Sequence, residues 1–155
     1  MHIALYQPDI PQNVGAVLRL GACLGVAVDI IEPCGFLWDP ARIRRAGLDY
    51  MDLAEVTRHS SWEAFLAGPP AGRLVLLSTT AACSHLDFRY HRDDVLLFGR
   101  ESAGVPPAVH QRAAARLKVP LHPAARSLNL AMTAALVLGE ALRQTESFPG
   151  MQDRP

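Results

Sequence analysis

The sequence predicts an α/β fold, a mainly parallel sheet flanked by helices, and two observations predict it. Short apolar runs alternate with helix-like segments along all 155 residues, and neither a linker nor a repeat interrupts them. Residues 3–6, 74–78 and 95–98 are near-continuously apolar, as expected of strands covered on both faces. We therefore expect one domain over residues 1–155, with an irregular tail from about residue 146.

The predicted strands are short apolar segments: 3–6, 26–31, a weaker one at 53–57, 74–78, 95–98 and 117–121. The predicted helices lie between or after them: 13–24, 40–46, 61–67, 106–115 and 127–144. Asn13 is a good N-cap for the first helix and Ser61 for the third, while Gly25 and Gly47 end the first two. Helices that connect parallel strands in this order place the loops after the strands at one edge of the sheet.

The last predicted helix is apolar around much of its circumference. Its leucines, valine and methionine cannot all face one sheet, so a second apolar surface must be buried. A subunit interface, and hence a homodimer, is the economical explanation. A helix enclosed within a single chain is the alternative.

Composition narrows the class of protein. The formal net charge is zero, which argues against indiscriminate binding of nucleic acid over the whole surface but leaves room for a local basic patch. Cys23, Cys34 and Cys83 share no metal-binding spacing and are odd in number, so we expect a reduced cytoplasmic protein. No apolar run is long enough to span a membrane, and the N-terminus lacks the layout of a signal peptide.

Three loops carry most of the polar chemistry. The first, QPDIPQNVGAVLRLG, contains Asn13, Gly15 and Arg19, and Arg19 lies on an otherwise apolar helix. Taken alone, a surface Arg whose stem packs on the helix explains it better than a functional Arg. The loop lacks the further glycines of a dinucleotide-binding turn, and the chain has no P-loop.

The second loop, LLFGRESAGVPP, follows a buried strand, where ligands of α/β sheets bind. Gly99 and Gly104 permit unusual backbone angles beside Glu101 and Ser102. A simple strand-to-helix turn, in which Glu101 or Ser102 only caps, is the alternative.

The third loop, HPAARSLNL, opens the last helix. Ser127 as N-cap would satisfy one backbone amide, worth about 1 kcal/mol. That role leaves Asn129 unexplained, because we expect it in the first turn of an apolar helix. No nucleophile elbow occurs, and no paired histidines suggest a metal site. The three loops suit a group transfer from a donor that is already activated.

Together these loops resemble the three motifs of the SPOUT superfamily of RNA methyltransferases. The match consists of N-x-G-x-x-x-R at 13–19, F-G-x-E-x-x-G-x-P at 98–106 and S-x-N-L at 127–130, in the superfamily's order. The stretches IIEPCGFLWD, RRAGLDY and VTRH are further similar to the subgroup of short, single-domain tRNA 2'-O-methyltransferases that act on the wobble cytidine or uridine. This resemblance covers roughly residues 3–145 and implies a C-terminal trefoil knot.

The resemblance also implies roles for individual residues. S-adenosylmethionine would be held by loop residues of the knot: Leu77, Gly99, Val119, Leu121, Ser127 and Leu128. Arg19 would activate the ribose 2'-hydroxyl across a dimer interface. Its geometry would be fixed by the other motif residues: Asn13, Glu101, Ser127 and Asn129.

The implied substrate is a tRNA anticodon stem-loop. Candidate phosphate contacts are arginines of two segments: Arg42, Arg44, Arg45 and Arg58. For the first three, a solvated helix face with local ion pairs is the alternative. Two alternatives stay open: a 2'-O-methyltransferase of another tRNA position or of rRNA, and a non-catalytic dimeric RNA-binding scaffold.

Overall fold

The computed structural model of the chain describes residues 1–39, 41, 43, 48–68 and 72–150. Its strands are β1 His2–Tyr6, β2 Ala27–Ile31, β3 Val56–His59, β4 Leu74–Leu77, β5 Cys83–Ser84, β6 Val95–Phe98 and β7 Ala115–Lys118. Its helices are α1 Pro11–Leu24, α2 Trp62–Ala67, α3 Pro107–Arg112 and α4 Leu130–Gln144, and a 3-10 helix, Leu48–Leu53, precedes β3. The predicted helix 40–46 lies largely outside the described residues.

The strands form one seven-stranded sheet in the order β3-β2-β1-β6-β4-β7-β5. Every neighbouring pair is parallel. The predicted α/β class and parallel sheet are therefore confirmed. Because all the strands point the same way, the loops that follow them meet at one edge, which we call the carboxyl edge.

The sheet separates two apolar clusters. Successive side chains of a strand point to opposite faces, and β1 follows this rule: Ile3 and Leu5 join one cluster, Ala4 and Tyr6 the other. On the first face lie the buried residues of α1 and α4. On the second face lie Phe65 of α2 and several residues around α3. Helices α1 and α4 thus share a face, and α2 lies on the opposite one.

Several strand boundaries differ from the prediction. The third strand begins at Val56, because residues 48–53 form the 3-10 helix instead. The last strand spans Ala115–Lys118, so the helix before it ends at Arg112 rather than near residue 115. Strand β5 was not predicted. It has only two residues, too few to show a pattern of alternating hydrophobicity.

The predicted N-caps of two helices are wrong. Helix α1 begins at Pro11, since a proline at the first helical position needs no amide partner, and Asn13 lies inside the helix. Helix α4 begins at Leu130, and its N-cap is Asn129 rather than Ser127. The Asn129 side chain accepts hydrogen bonds from the amides of Ala131 and Met132 at 2.9 and 3.3 Å. Ser61 caps α2 as predicted.

Candidate active site at the carboxyl edge

A cavity of about 950 Å³ opens at the carboxyl edge. It is lined by the loops after β4, β6 and β7, by the start of α4 and by the β1–α1 loop. Of the predicted catalytic and cofactor-binding residues, all but Arg19 line this cavity: Asn13, Leu77, Gly99, Glu101, Val119, Leu121, Ser127, Leu128 and Asn129. The three sequence loops are therefore brought to one place, as the parallel sheet requires.

A tight turn shapes the loop after β6. The backbone amides of Arg100 and Gly104 each donate to the other residue's carbonyl at 2.9 Å, and Gly104 has a φ of +64°. A Cβ added to Gly99 would lie 2.6 Å from the carbonyl carbon of Gly104. Both glycines are thus required by geometry, and the turn they form presents Glu101 and Ser102 beside the cavity.

Glu101, Asn13 and Asn129 form a chain of hydrogen bonds across the three loops. The Asn13 amide Nδ2 donates to Glu101 Oε1 at 2.9 Å, and Asn129 Nδ2 donates to Asn13 Oδ1 at the same distance. Asn13 is buried, so both of its polar atoms need partners inside the protein. Because Asn129 also caps α4, the start of that helix is fixed relative to the other two loops.

Asp9 extends this chain, although sequence reasoning missed it. Its carboxylate accepts hydrogen bonds from Arg100 Nη2 at 2.7 Å and from the hydroxyl and amide of Ser102 at 2.6 and 3.0 Å. Its own amide donates to Glu101 Oε2 at 2.7 Å. The hydrogen bonds from Arg100 and Ser102 lower the pKa of Asp9 to about 2. Acidic residues are common just before helices, so Asp9 carries no distinctive sequence signal. Only its position in the first loop could have indicated a role in the site.

Arg19 does not line the cavity. It is exposed, and its Cζ lies 5.0 Å from the centroid of the Tyr50 ring. Arg19 follows Asn13 by six residues, about one and two-thirds helical turns, so the two side chains leave α1 in different directions. Within one chain, the Arg and the other motif residues face different surroundings.

Of the predicted RNA contacts, only Arg58 lies among the described residues. Its guanidinium is paired with Glu32 and lies 4.5 Å from the centroid of the Trp38 ring. Its side chain is 44% exposed, so it can still reach a ligand. Arg42, Arg44 and Arg45 lie outside the described residues.

Two further regions of the described chain bring polar side chains together. A second cavity of about 720 Å³ lies beside the segment before β6 and the end of α4, and it contains none of the predicted site residues. Among the described residues, His91, Asp93 and Asp94 bring possible metal-ligand atoms within 4.8 Å of one another. Asp94 already accepts two hydrogen bonds from Arg73, both at 2.8 Å, and that cation opposes a metal ion there. In the described part of the chain, no helix has the length and apolarity to cross a membrane.

Known proteins resemble this chain over most of its length. Residues 1–139 match the model of the SpoU rRNA Methylase family. A tRNA (cytidine(34)-2'-O)-methyltransferase of Beijerinckia indica is 56% identical over 155 residues, which are 99% of this chain and 97% of the relative.

Two solved structures share the fold. One, which concerns the 2-OH methylation of C/U34 on tRNA, superposes with a TM-score of 0.87 and is 42% identical, over 92% of this chain and 94% of that one. The other is the SpoU methyltransferase AviRb of Streptomyces viridochromogenes in complex with AdoMet. It has a TM-score of 0.80 and 26% identity, over 93% of this chain and 60% of that one.

Proposed function

Because this chain belongs to the SpoU rRNA methylase family, we propose that it methylates the ribose 2'-hydroxyl of nucleotide 34 of tRNA, the wobble nucleotide, with S-adenosylmethionine as methyl donor. The observation that carries the proposal is 56% identity over 99% of the chain to a protein named for that reaction on cytidine 34. The gathering of Asn13, Glu101, Ser127 and Asn129 around one cavity supports it. Cytidine and uridine are both accepted bases in this proposal, since one related structure concerns C/U34.

The cavity suits S-adenosylmethionine in size and chemistry. Its volume of about 950 Å³ is within the usual range of small-molecule sites. Leu77, Leu117 and Leu130 give it apolar walls, and loop backbone around residues 119–129 offers amides and carbonyls for polar groups. The residues that would hold the methyl donor are those named from the sequence: Leu77, Gly99, Val119, Leu121, Ser127 and Leu128. When bound, S-adenosylmethionine supplies an activated methyl group on a sulfonium centre, and we propose that no metal takes part.

Glu101 positions groups rather than removing a proton. Both of its carboxylate oxygens accept hydrogen bonds, one from the Asp9 amide and the other from Asn13. These two bonds fix the direction of the carboxylate. The hydrogen bond between Asn13 and Asn129 also fixes the start of α4, where Ser127 borders the cavity. This chain of hydrogen bonds thereby holds the three loops in the arrangement that in-line transfer needs.

Arg19 acts on the ribose in this proposal. A guanidinium beside the 2'-oxygen would stabilise the negative charge that develops on that oxygen as the hydroxyl proton leaves to water. Since Arg19 is exposed and does not line the cavity of its own chain, we propose that it serves the cavity of a second copy. Each active site would then need two chains.

A homodimer through α4 fits this requirement. Met132 and Leu136 are one helical turn apart and 56% and 50% exposed, although α4 buries its other face in the core. Two large apolar side chains on one exposed face favour a protein partner. We further propose that residues 1–155 form one methyltransferase domain with the knot of its superfamily, and that the basic residues Arg42, Arg44, Arg45 and Arg58 contact tRNA phosphates.

The function is tested by transfer of labelled methyl groups from S-adenosylmethionine to separate pools of tRNA and rRNA, followed by mapping of the modified nucleotide. We expect modification of the ribose of nucleotide 34 in tRNA. If a different nucleotide is modified, or if only rRNA is labelled, the enzyme acts on a different substrate and the proposal is wrong. If calorimetry detects no binding of S-adenosylmethionine to the purified protein, the chain is a non-catalytic scaffold.

The two-chain site is tested by mixing inactive variants. We expect Arg19→Ala and Glu101→Gln each to abolish transfer, with the affinity of Arg19→Ala for S-adenosylmethionine nearly unchanged. Refolding the two variants together at equal amounts gives about half heterodimers, each with one intact site, so about a quarter of the wild-type activity should return. If Arg19 and Glu101 of the same chain formed the site, mixing would restore nothing.

A further inference from the structure

Leu37 is the most exposed large apolar residue among the described residues, with 94% of its surface in contact with solvent. It lies between Phe36 and Trp38, whose rings are stacked at a centroid distance of 6.3 Å and an interplanar angle of 22°. Both rings are partly buried and pack against the core cluster that contains α1 and α4. The neighbours of Leu37 are therefore anchored, and its side chain is held out into solvent.

The loop that carries Leu37 is attached to the candidate active site. The Gly35 amide donates to the carbonyl of Pro8 at 2.9 Å. A Cβ at Gly35 would come 2.5 Å from Asp9 Oδ1, so the two loops are in close contact. Asp9 in turn is hydrogen-bonded to Arg100, Ser102 and Glu101 beside the cavity. The position of the Leu37 loop is thus tied to that of the cavity rim.

The sheet order places this loop next to the cavity on the β3 side. Strand β2 neighbours β1, and the β1–α1 loop contributes Ile10, which is 40% exposed and lines the cavity. Beyond Leu37, the Arg58 guanidinium of β3 lies over the Trp38 ring and is paired with Glu32, and its side chain is still 44% exposed. Exposed apolar side chains at Ile10 and Leu37, followed by a cation, therefore extend from the cavity along the carboxyl edge.

We propose that Leu37 packs against an unstacked base that adjoins the methylated nucleotide, and that Arg58 contacts a phosphate beside it. Single-stranded RNA is bound by apolar or aromatic surfaces that contact base faces, together with cations that follow the backbone. The carboxyl edge offers both features in the order cavity, apolar side chain, cation. This inference rests on the proposed function, because it assumes that the cavity acts on a nucleotide of an RNA loop.

The Arg58 cation favours RNA over a second copy of the chain as the molecule that Leu37 contacts. A phosphate next to a stacked base needs a cation nearby, whereas a contact of Leu37 with a second copy of the chain would need none. The chain also has another exposed apolar surface for self-association, formed by Met132 and Leu136 on α4. Leu37 is therefore assigned to the substrate and those two residues to the partner chain.

The test compares Leu37→Ala with Leu53→Ala. Leu53 is 72% exposed and precedes β3, which places it toward the opposite edge of the sheet, so it is a matched control. Binding is measured by fluorescence anisotropy with an anticodon stem-loop RNA in the presence of S-adenosylhomocysteine. A second RNA carries an abasic residue on each side of the target nucleotide. Methyl transfer to the intact stem-loop is measured alongside, so that a failed activity is distinguished from failed binding.

We expect Leu37→Ala to weaken binding of the intact stem-loop about tenfold, or about 1.4 kcal/mol, while Leu53→Ala has no effect. On the abasic RNA, wild type and Leu37→Ala should bind equally, because the base that Leu37 contacts is gone. Equal weakening on both RNAs, or no binding of the stem-loop by the wild type, would overturn the proposal. So would a shift of Leu37→Ala from dimer to monomer in sedimentation, which would assign Leu37 to the second copy. A wild type that binds the stem-loop without methylating it would contradict the proposed function and leave the comparison of Leu37 variants valid.

Discussion

At the scale of single residues, Asp9 connects more of the candidate site than any predicted residue does. Its carboxylate holds Arg100 and Ser102, its amide holds Glu101, and its backbone lies against Gly35. Charge-assisted hydrogen bonds of this kind are stronger than neutral ones. Asp9 therefore determines where the loop after β6 sits, without itself lining the cavity.

We predict that Asp9→Asn slows methyl transfer at least about tenfold, because the neutral side chain loses the Arg100 ion pair and thereby loosens the loop that carries Glu101. Steady-state kinetics check this, with the exposed Asp87→Asn as control. Lowering the pH should not restore the rate of the Asp9→Asn variant, because the carboxylate that it lacks has a pKa of about 2 and stays ionised in the wild type.

The same substitution has a predicted pH signature in stability. The folded-state pKa of Asp9 is depressed from 3.8 to about 2, so the carboxylate stabilises the fold fully above about pH 4 and loses this effect as the pH falls through about 2. The wild type should unfold at a higher urea concentration than Asp9→Asn at pH 7, and the gap should narrow by pH 3. A gap that widened on acidification would contradict the ion pair.

At the scale of elements, α1 is packed very closely against the strand that follows it. A Cβ added at Gly21 would lie 2.6 Å from the Val26 carbonyl oxygen and 2.8 Å from Val28 Cγ2. The Gly21 carbonyl also accepts the amides of Gly25 and Val26 at the end of the helix. The glycine thus sets the distance between α1, which carries Asn13 and Arg19, and the sheet.

We predict that Gly21→Ala destabilises the protein by about 1–3 kcal/mol, although alanine favours helices, because backbone and a β-branched side chain would have to move. Gly68→Ala is the matched control. Gly68 has a negative φ, and an added Cβ there meets only contacts of 3.8 Å or more. Urea denaturation should place Gly68→Ala near the wild type, and an equal loss in both variants would refute the close-packing argument.

The elements also show what the sequence could and could not predict. The sequence predicts buried strands such as β4 and β6 correctly, because a continuous apolar run indicates a strand covered on both faces whatever residues pack against it. The start of α4 was misplaced because Asn129 receives two amides, a geometry that composition does not reveal. The carboxyl-edge cavity followed from the parallel sheet, but the Asp9–Arg100 pair joins residues far apart in the chain and has no local signal. That Arg19 lies outside the lining of its own cavity likewise depends on the rotation of α1 about its axis.

At the scale of the whole molecule, the exposed apolar face of α4 and the outward direction of Arg19 lead to the same expectation. A single chain presents a cavity without its proposed Arg, and it leaves large apolar side chains in solvent. Association through α4 would address both features. Assembly and activity should therefore be lost together.

We predict that Met132→Glu combined with Leu136→Glu converts the proposed dimer to a monomer and abolishes transfer, while S-adenosylmethionine still binds. Light scattering gives the mass and calorimetry the binding. Leu66→Glu is the control, because Leu66 is 41% exposed on α2, on the opposite face of the sheet. A monomer with full activity would show that each site is complete within one chain.

The position of β1 between β2 and β6 has a consequence for how the chain folds during synthesis. β1 and β2 are close in sequence and can pair early, but the other side of β1 pairs with β6, which the ribosome makes only after more than half of the chain. Until then an apolar strand at the centre of the final sheet has one open edge. An open strand edge can pair with other chains. We therefore expect folding to depend most on chaperones while only the N-terminal half has been synthesised.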